Sequence, residues 1–302
     1  MPDLSEFLAF VAEKSGVKKP GLIEQDLTIH RVLKEIYSSK HPAENYLFKG
    51  GSCLVKCYFG YYRFSVDLDF TWRDQTVWKG LEKRELRRKL VEETGSFGSL
   101  LEKIAKDIGL EFKNNLEDRR YFEFGGGGKM VTFKMWKNSE LMKIQVNFVD
   151  EILFPYKTVV VKTLLGNAEI SEGERVYFEE FLKFYKSFKV AAYDEREILC
   201  EKVRAILTRR TQKLRDFYDL FMLDNSMFEI EKLKEQVILK TKACLHFKKY
   251  RENLERNRKS LRIKAVLEDS FERELFVTKP PKDFETFLKG LTGFLQDIMS
   301  KI

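Results

Sequence analysis

Apolar residues recur along the chain with two different periods, and the two periods divide it. Near the start they fall at helical spacing, Leu4, Phe7, Leu8 and Val11, which predicts a short helix over Leu4–Lys14. Pro20-Gly21 opens a second helix that runs from about Leu22 to Ser38. A brief strand, Tyr46-Leu47-Phe48, then meets a glycine pair that turns it into a helix over Ser52–Phe59, and Phe64–Trp72 reads as the next strand. Two charged helices are predicted between Gly80 and Asp107, broken near Gly95-Ser96. Alternating runs follow at about Leu110–Lys113, Arg119–Phe124, Lys129–Trp136, Leu141–Val149 and Thr158–Leu164. The tetraglycine Gly125–Gly128 lies between two of them as a hairpin loop.

Beyond about Tyr193 the period returns to that of a helix. Asp194 can cap a long amphipathic helix with Ile198, Leu199, Val203, Ile206 and Leu207 on its apolar side. A further helix carries Phe217, Leu220, Phe221 and Leu223, and Pro280-Pro281 separates two helices near the end. The pattern predicts an α+β domain with a mixed sheet over residues 1–192, followed by an α-helical domain over 193–302.

Charge sharpens this picture. The chain has 302 residues, a formal charge of +8 and 43% hydrophobic residues, enough to bury a core while favouring a polyanionic partner. Lys248–Arg262 is strongly basic, and Lys248, Lys249, Arg251, Arg256 and Arg258 are its candidate RNA contacts. No apolar run is long enough for a membrane helix, so no membrane partner is expected, and Met1–Phe10 lacks the basic start of a signal peptide. Cys53, Cys57, Cys200 and Cys244 do not form a metal-ligand pattern and suit free thiols in a reducing, cytoplasmic setting. His30, His41 and His246 are scattered, which excludes a zinc-type cluster.

The chemistry is concentrated in two short runs, Lys49-Gly50-Gly51-Ser52 and Arg63-Phe64-Ser65-Val66-Asp67-Leu68-Asp69-Phe70. Aspartates at i and i+2 of a strand project from one side. Their mutual repulsion is relieved by a hard divalent cation, Mg²⁺ or Mn²⁺, which takes carboxylates together with substrate phosphates. A Gly-Gly-Ser turn between a strand and a helix lets a backbone approach those phosphates. Lys129 after the four glycines imitates a P-loop, but Met130 stands where Ser or Thr is required and Glu123 where the first Gly belongs.

Phe48–Leu54 and Arg63–Phe70 resemble the AbiEii/AbiGii-type toxin nucleotidyltransferases. So do the Glu201-Lys202 helix from Arg196 to Leu207, the Arg215-Asp216-Phe217-Tyr218-Asp219-Leu220 block and the lead-in Ile23–Leu27. The similarity covers about residues 20–225. It implies a nucleotidyltransferase-type sheet and an enzyme that moves a nucleoside monophosphate from an NTP onto RNA, notably the tRNA 3′ end, in a toxin–antitoxin setting. By resemblance Asp67 and Asp69 hold the metal, and Gly50, Gly51, Ser52 and Lys49 bind the nucleotide. Lys202 reaches the phosphates, Arg63 touches phosphate or RNA, and Asp216 or Asp219 completes the site in a cleft between the two domains. The alternatives are transfer to a protein or small molecule, and an inactive binding module. One departure stands out. The strand expected to carry a third carboxylate offers Lys143, Gln145 and Asn147, and no acid until Asp150.

Overall fold

In a computed structural model the chain forms two compact units, one of residues Met1–Asp150 with Tyr156–Ala192, the other of Glu151–Pro155 with Tyr193–Ile302. The structure describes residues 2–166, 168–225, 229–259, 261, 267 and 270–302. Arg262 of the basic stretch lies outside them.

The first unit is built on a seven-stranded mixed sheet in the order β3-β4-β5-β2-β1-β7-β6. The strands are β1 Tyr46–Lys49, β2 Asp67–Trp72, β3 Phe122–Gly125, β4 Met130–Lys137, β5 Glu140–Asn147, β6 Lys157–Val161 and β7 Phe188–Ala192. The central strand β2 runs antiparallel to β1 and parallel to β5. Alternation gives the sheet two unlike faces. Phe48, Leu68, Phe70, Val131, Phe133, Ile144 and Val146 are all buried on one of them. Two helices cover that face, α2 (Pro20–Ser38) and α5 (Lys83–Ile108), with the Phe97 ring 4.9 Å from Tyr46 and 5.3 Å from Phe133. The first helix, α1 (Leu4–Ser15), starts at a capping box between Asp3 and Glu6 and stacks Phe7 on Phe181. The opposite face carries the polar residues of the same strands.

The second unit is helical among its described residues. Its main helix, α8 (Glu195–Thr208), is capped by Asp194 and buries the five apolar residues that its periodicity singled out. It packs with α9 (Leu214–Asp224), α10 (Lys234–Cys244) and α11 (Lys248–Lys259). The strap Glu151–Pro155 joins this unit because the Leu153 and Phe154 amides donate to the Glu197 carboxylate at 2.7 and 2.9 Å. Lys240, buried like Glu197, lies 2.7 Å from that carboxylate and donates to the Glu151 carbonyl.

Several local expectations are corrected. The break near Gly95-Ser96 does not occur, and α5 is continuous. Gly98 is there for close approach, since a Cβ on it would lie 2.1 Å from the Asn114 Oδ1. Leu110–Lys113 makes only an isolated bridge, Glu111 to Trp136. The helix expected over Ser52–Phe59 is a short turn, α4 (Gly50–Cys53), continued by a wider π-helical turn, Leu54–Phe59. The tetraglycine closes the β3–β4 hairpin, with Gly126, Gly127 and Gly128 at φ of 58°, 70° and 90°.

Candidate active site

Asp67 and Asp69 lie on the polar side of β2, alternating with the fully buried Leu68 and Phe70. Both are half-exposed. Asp69 faces Lys49 on β1 and Gln145 on β5, while Asp67 faces Lys143. Farther out, Thr132 and Lys134 of β4 face Gln145 and Lys143. Gln145 thus stands at the register position where an acid would make a triad with the aspartates. Asp150 does not take that place. It accepts from Lys49 at 3.0 Å and from Thr71 at 3.4 Å, and its amide donates to Gln75. No group of three or more His, Cys, Asp or Glu able to hold a metal forms among the described residues. The donor set here is two carboxylates, which fits a Mg²⁺ ion that draws its other oxygens from substrate and water.

The glycine turn lies directly against these groups. Gly50 has φ of 75°, and a Cβ on it would lie 2.3 Å from the Asp69 Oδ2. A Cβ on Gly51 would lie 2.4 Å from the Arg63 Nη2. Two glycines are needed because one backbone touches a carboxylate and then a guanidinium. The Ser52 hydroxyl is buried, donates to the Asp67 carbonyl and shares a 2.8 Å hydrogen bond with the Ser65 hydroxyl. These bonds tie the turn to the strand that bears the aspartates. Arg63 is 1% exposed and donates to the Phe64 carbonyl at 2.8 Å, a position that supports the turn rather than reaching out to RNA. Lys49 is likewise buried against Asp150.

A second cluster braces the turn from behind. Lys56, on the π-helical turn, donates to Asp26 at 2.6 Å and to the Tyr61 hydroxyl at 2.8 Å, and Tyr61 and Tyr185 both donate to Asp26. Burial and the adjoining Asp26 push both phenols well above their usual range. The sequence signal for this cluster is an acid, Asp26, between apolar Ile23, Leu27 and Ile29 on one helix face.

In the second unit Lys202 is held between two carboxylates, Asp216 at 2.6 Å and Asp219 at 2.7 Å. Arg209 also pairs with Asp216. Burial opposes charge on Asp216, but Lys202 and Arg209 outweigh it and hold the carboxyl well below the usual range. The local partners that sequence alone allows are engaged elsewhere, Glu197 and Glu201 with Lys240 and Arg215 with Glu272. On α11 the candidate RNA contacts are mostly tied to neighbours: Lys248 with Glu252, Arg258 with Glu255, Arg256 with Asn253 and Arg251 with the Leu245 carbonyl. Lys249 is exposed.

Residues 31–299 match the family described as nucleotidyl transferase AbiEii toxin, type IV toxin–antitoxin system. The chain belongs to this family. An AbiEii chain is a nucleotidyltransferase, and the Asp pair and glycine turn are this member's candidate catalytic apparatus. Its fold is similar to that of MenT4, a nucleotidyltransferase toxin from Mycobacterium tuberculosis H37Rv, with a TM-score of 0.54 and 19% identity over 96% of this chain and 89% of that one. No sequence among the curated proteins matches significantly. No helix among the described residues is long and apolar enough to cross a membrane.

Proposed function

We propose that this AbiEii toxin transfers a nucleoside monophosphate from an NTP to the 3′-hydroxyl of an RNA, with tRNA as the acceptor and Mg²⁺ as the cofactor. The observation that carries this reading is the pair Asp67 and Asp69 on the polar face of β2, with the Gly50-Gly51 backbone packed against Asp69. Such a turn leaves room for a triphosphate close to the carboxylates, where a side chain at either glycine would intrude. A divalent ion, when bound by Asp67 and Asp69, offsets the charge that develops on the phosphoryl group. The acceptor hydroxyl oxygen attacks the α-phosphorus and its proton passes to solvent, the bond from that phosphorus to the α,β-bridging oxygen breaks, and pyrophosphate leaves with the electron pair. Asp67 and Asp69 fix where the phosphates sit, the turn amides bind them, and Arg63 and Ser52 keep turn and strand in register. Mn²⁺ suits the same oxygen donors.

Lys202 and Asp216 belong to this proposal as residues required for transfer, Asp216 being a carboxylate that stays ionised. The type IV setting supports a cognate antitoxin as partner, and three buried free thiols suit the cytoplasm, where NTPs and RNA occur together. The test is incubation with each labelled NTP and total tRNA. Label on RNA that is absent with Asp69→Asn supports the reading. Label on protein or on small molecules alone moves the acceptor to another class. NTP and Mg²⁺ binding without transfer to anything leaves a binding module.

A further inference from the structure

The charges on α5 run against the helix that bears them. Residues 83–89 hold five cations (Lys83, Arg84, Arg87, Arg88 and Lys89) and one acid, whereas residues 92–108 hold four acids and two cations. The N-terminal end of a helix is its positive end, so Lys83 and Arg84 in the first turn oppose the macrodipole, with Glu85 the one acid beside them. No side chain caps this N-terminus. Arg84, Arg87 and Arg88 stand at i, i+3 and i+4, a spacing at which like charges repel. All three are exposed on one stripe with Val91, which is 50% exposed. Arg88 meets Glu92 only at 3.8 Å, and Arg84 and Arg87 have no carboxylate partner among the described residues. On α11 the cations are split between the two ends, and Lys248 and Arg258 each have a carboxylate of the same helix beside them.

The position of the stripe adds a second argument. Glu93 bonds His41 at 3.0 Å, and His41 packs on Trp72, the last residue of β2. The turns of α5 before Glu93 therefore project past the Trp72 end of the strand, whereas Asp67 starts its other end. At that same end of β2 the Arg73 guanidinium lies 5.5 Å from the ring of Tyr156, a tyrosine 47% exposed. An exposed ring backed by a cation is a platform for an unstacked base.

We propose that Arg84, Arg87 and Arg88 form a phosphate-binding stripe for the backbone of a structured RNA, gripping it up to about 30 Å from the reacting end. The inference rests on the RNA-acceptor reading and adds to it a distal anchor. A polyphosphate backbone removes the repulsion within the stripe, where Glu92 beside Arg88 is the one carboxylate paired with it among the described residues. A short acceptor fragment would not reach the anchor, so only long substrates depend on it.

The test compares the full chain with R84Q/R87Q/R88Q and with an α11 control, K248Q/K249Q/R258Q. Binding of labelled tRNA is measured by anisotropy from about 50 to 200 mM salt, a range over which phosphate contacts are released. In the α5 variant the slope of log K against log salt should fall by about 2 to 3, with binding weakened at least about 10-fold at low salt. Calorimetric NTP binding and transfer to a short 3′-terminal RNA fragment should stay unchanged, and the melting temperature should hold or rise. An unchanged slope in the α5 variant, or a loss confined to the α11 control, overturns the stripe while leaving RNA as acceptor. A dependence on the three arginines seen with anionic lipid vesicles and not with RNA also overturns it. If the unaltered chain neither binds nor labels RNA, the acceptor reading fails and the stripe fails with it.

Discussion

The protein holds two pairs of aspartates, and they are built in opposite ways. Asp67 and Asp69 stand half-exposed on a strand, fixed by backbone register and by a glycine turn. Asp216 and Asp219 are buried on a helix, with Lys202 placed between them. The second pair carries its cation within the fold. The first pair stands on the polar face of β2 in register with Lys49, Lys143 and Gln145. A half-exposed pair fixed by backbone register is less desolvated than a buried one, so changing it costs less structurally. Removing Lys202 from the second takes the shared cation from two buried carboxylates, with Arg209 still beside Asp216.

The largest expected effect breaks the comparison on the activity side. Asp69→Asn should lower transfer on the order of 10³-fold, comparable with losing a principal electrostatic group of a catalytic site, with the melting temperature held or raised. A melting temperature that fell sharply would make the β2 pair a structural element. Next comes the stability side. Lys202→Met should destabilise the second unit by about 3–5 kcal/mol, read as an early transition in a urea titration followed by tryptophan-independent circular dichroism. An unshifted transition would mean that the cluster relaxes without its cation, and the contrast between the pairs would collapse.

Gly50→Ala tests how closely turn and strand are fitted. The positive φ alone costs about 1–2 kcal/mol, and the new methyl would displace the Asp69 carboxylate. Transfer should fall about 10-fold or more, mostly through NTP binding. The smallest effect concerns acid. Asp216 has a lowered folded pKa, so its contribution is present above the ordinary carboxylate range and is lost as pH falls from there toward the folded value. Below about pH 4 the unfolded chain takes up a proton that the folded chain does not. The urea midpoint should therefore fall across that range, with a shallower fall in Asp216→Asn.

The strands and helices with strong periodicity were legible in the sequence, and so was the Asp-x-Asp run with its glycine turn. What sequence did not reveal came from contacts between distant segments. Strand β7, Phe188–Ala192, was not anticipated; it is fixed by β1 on one side and β6 on the other. A break is expected near Gly95-Ser96, yet Asn114 donates to the Gly95 carbonyl at 3.0 Å and fits against Gly98, where a side chain would collide with it. Nothing local in the sequence shows that Ser65 and the Asp67 carbonyl surround the Ser52 hydroxyl, or that Gly51 lies against Arg63. The Lys202–Asp216–Asp219 grouping could be suspected from one motif and its partner, but not the identity of the ion pairs.

The strap Glu151–Pro155 has a consequence during synthesis. It leaves the ribosome well before Glu197 and Lys240, the side chains that hold it. At about 5–20 residues per second, the roughly 85 residues separating Pro155 from Lys240 take on the order of 4–17 s to be made. During that interval the first unit has all its strands from residue 192 onward, while the second lacks the lysine that closes it. A nascent chain of this toxin thus passes through a stage in which the strands of its sheet are all made while the lysine that closes its helical half is not.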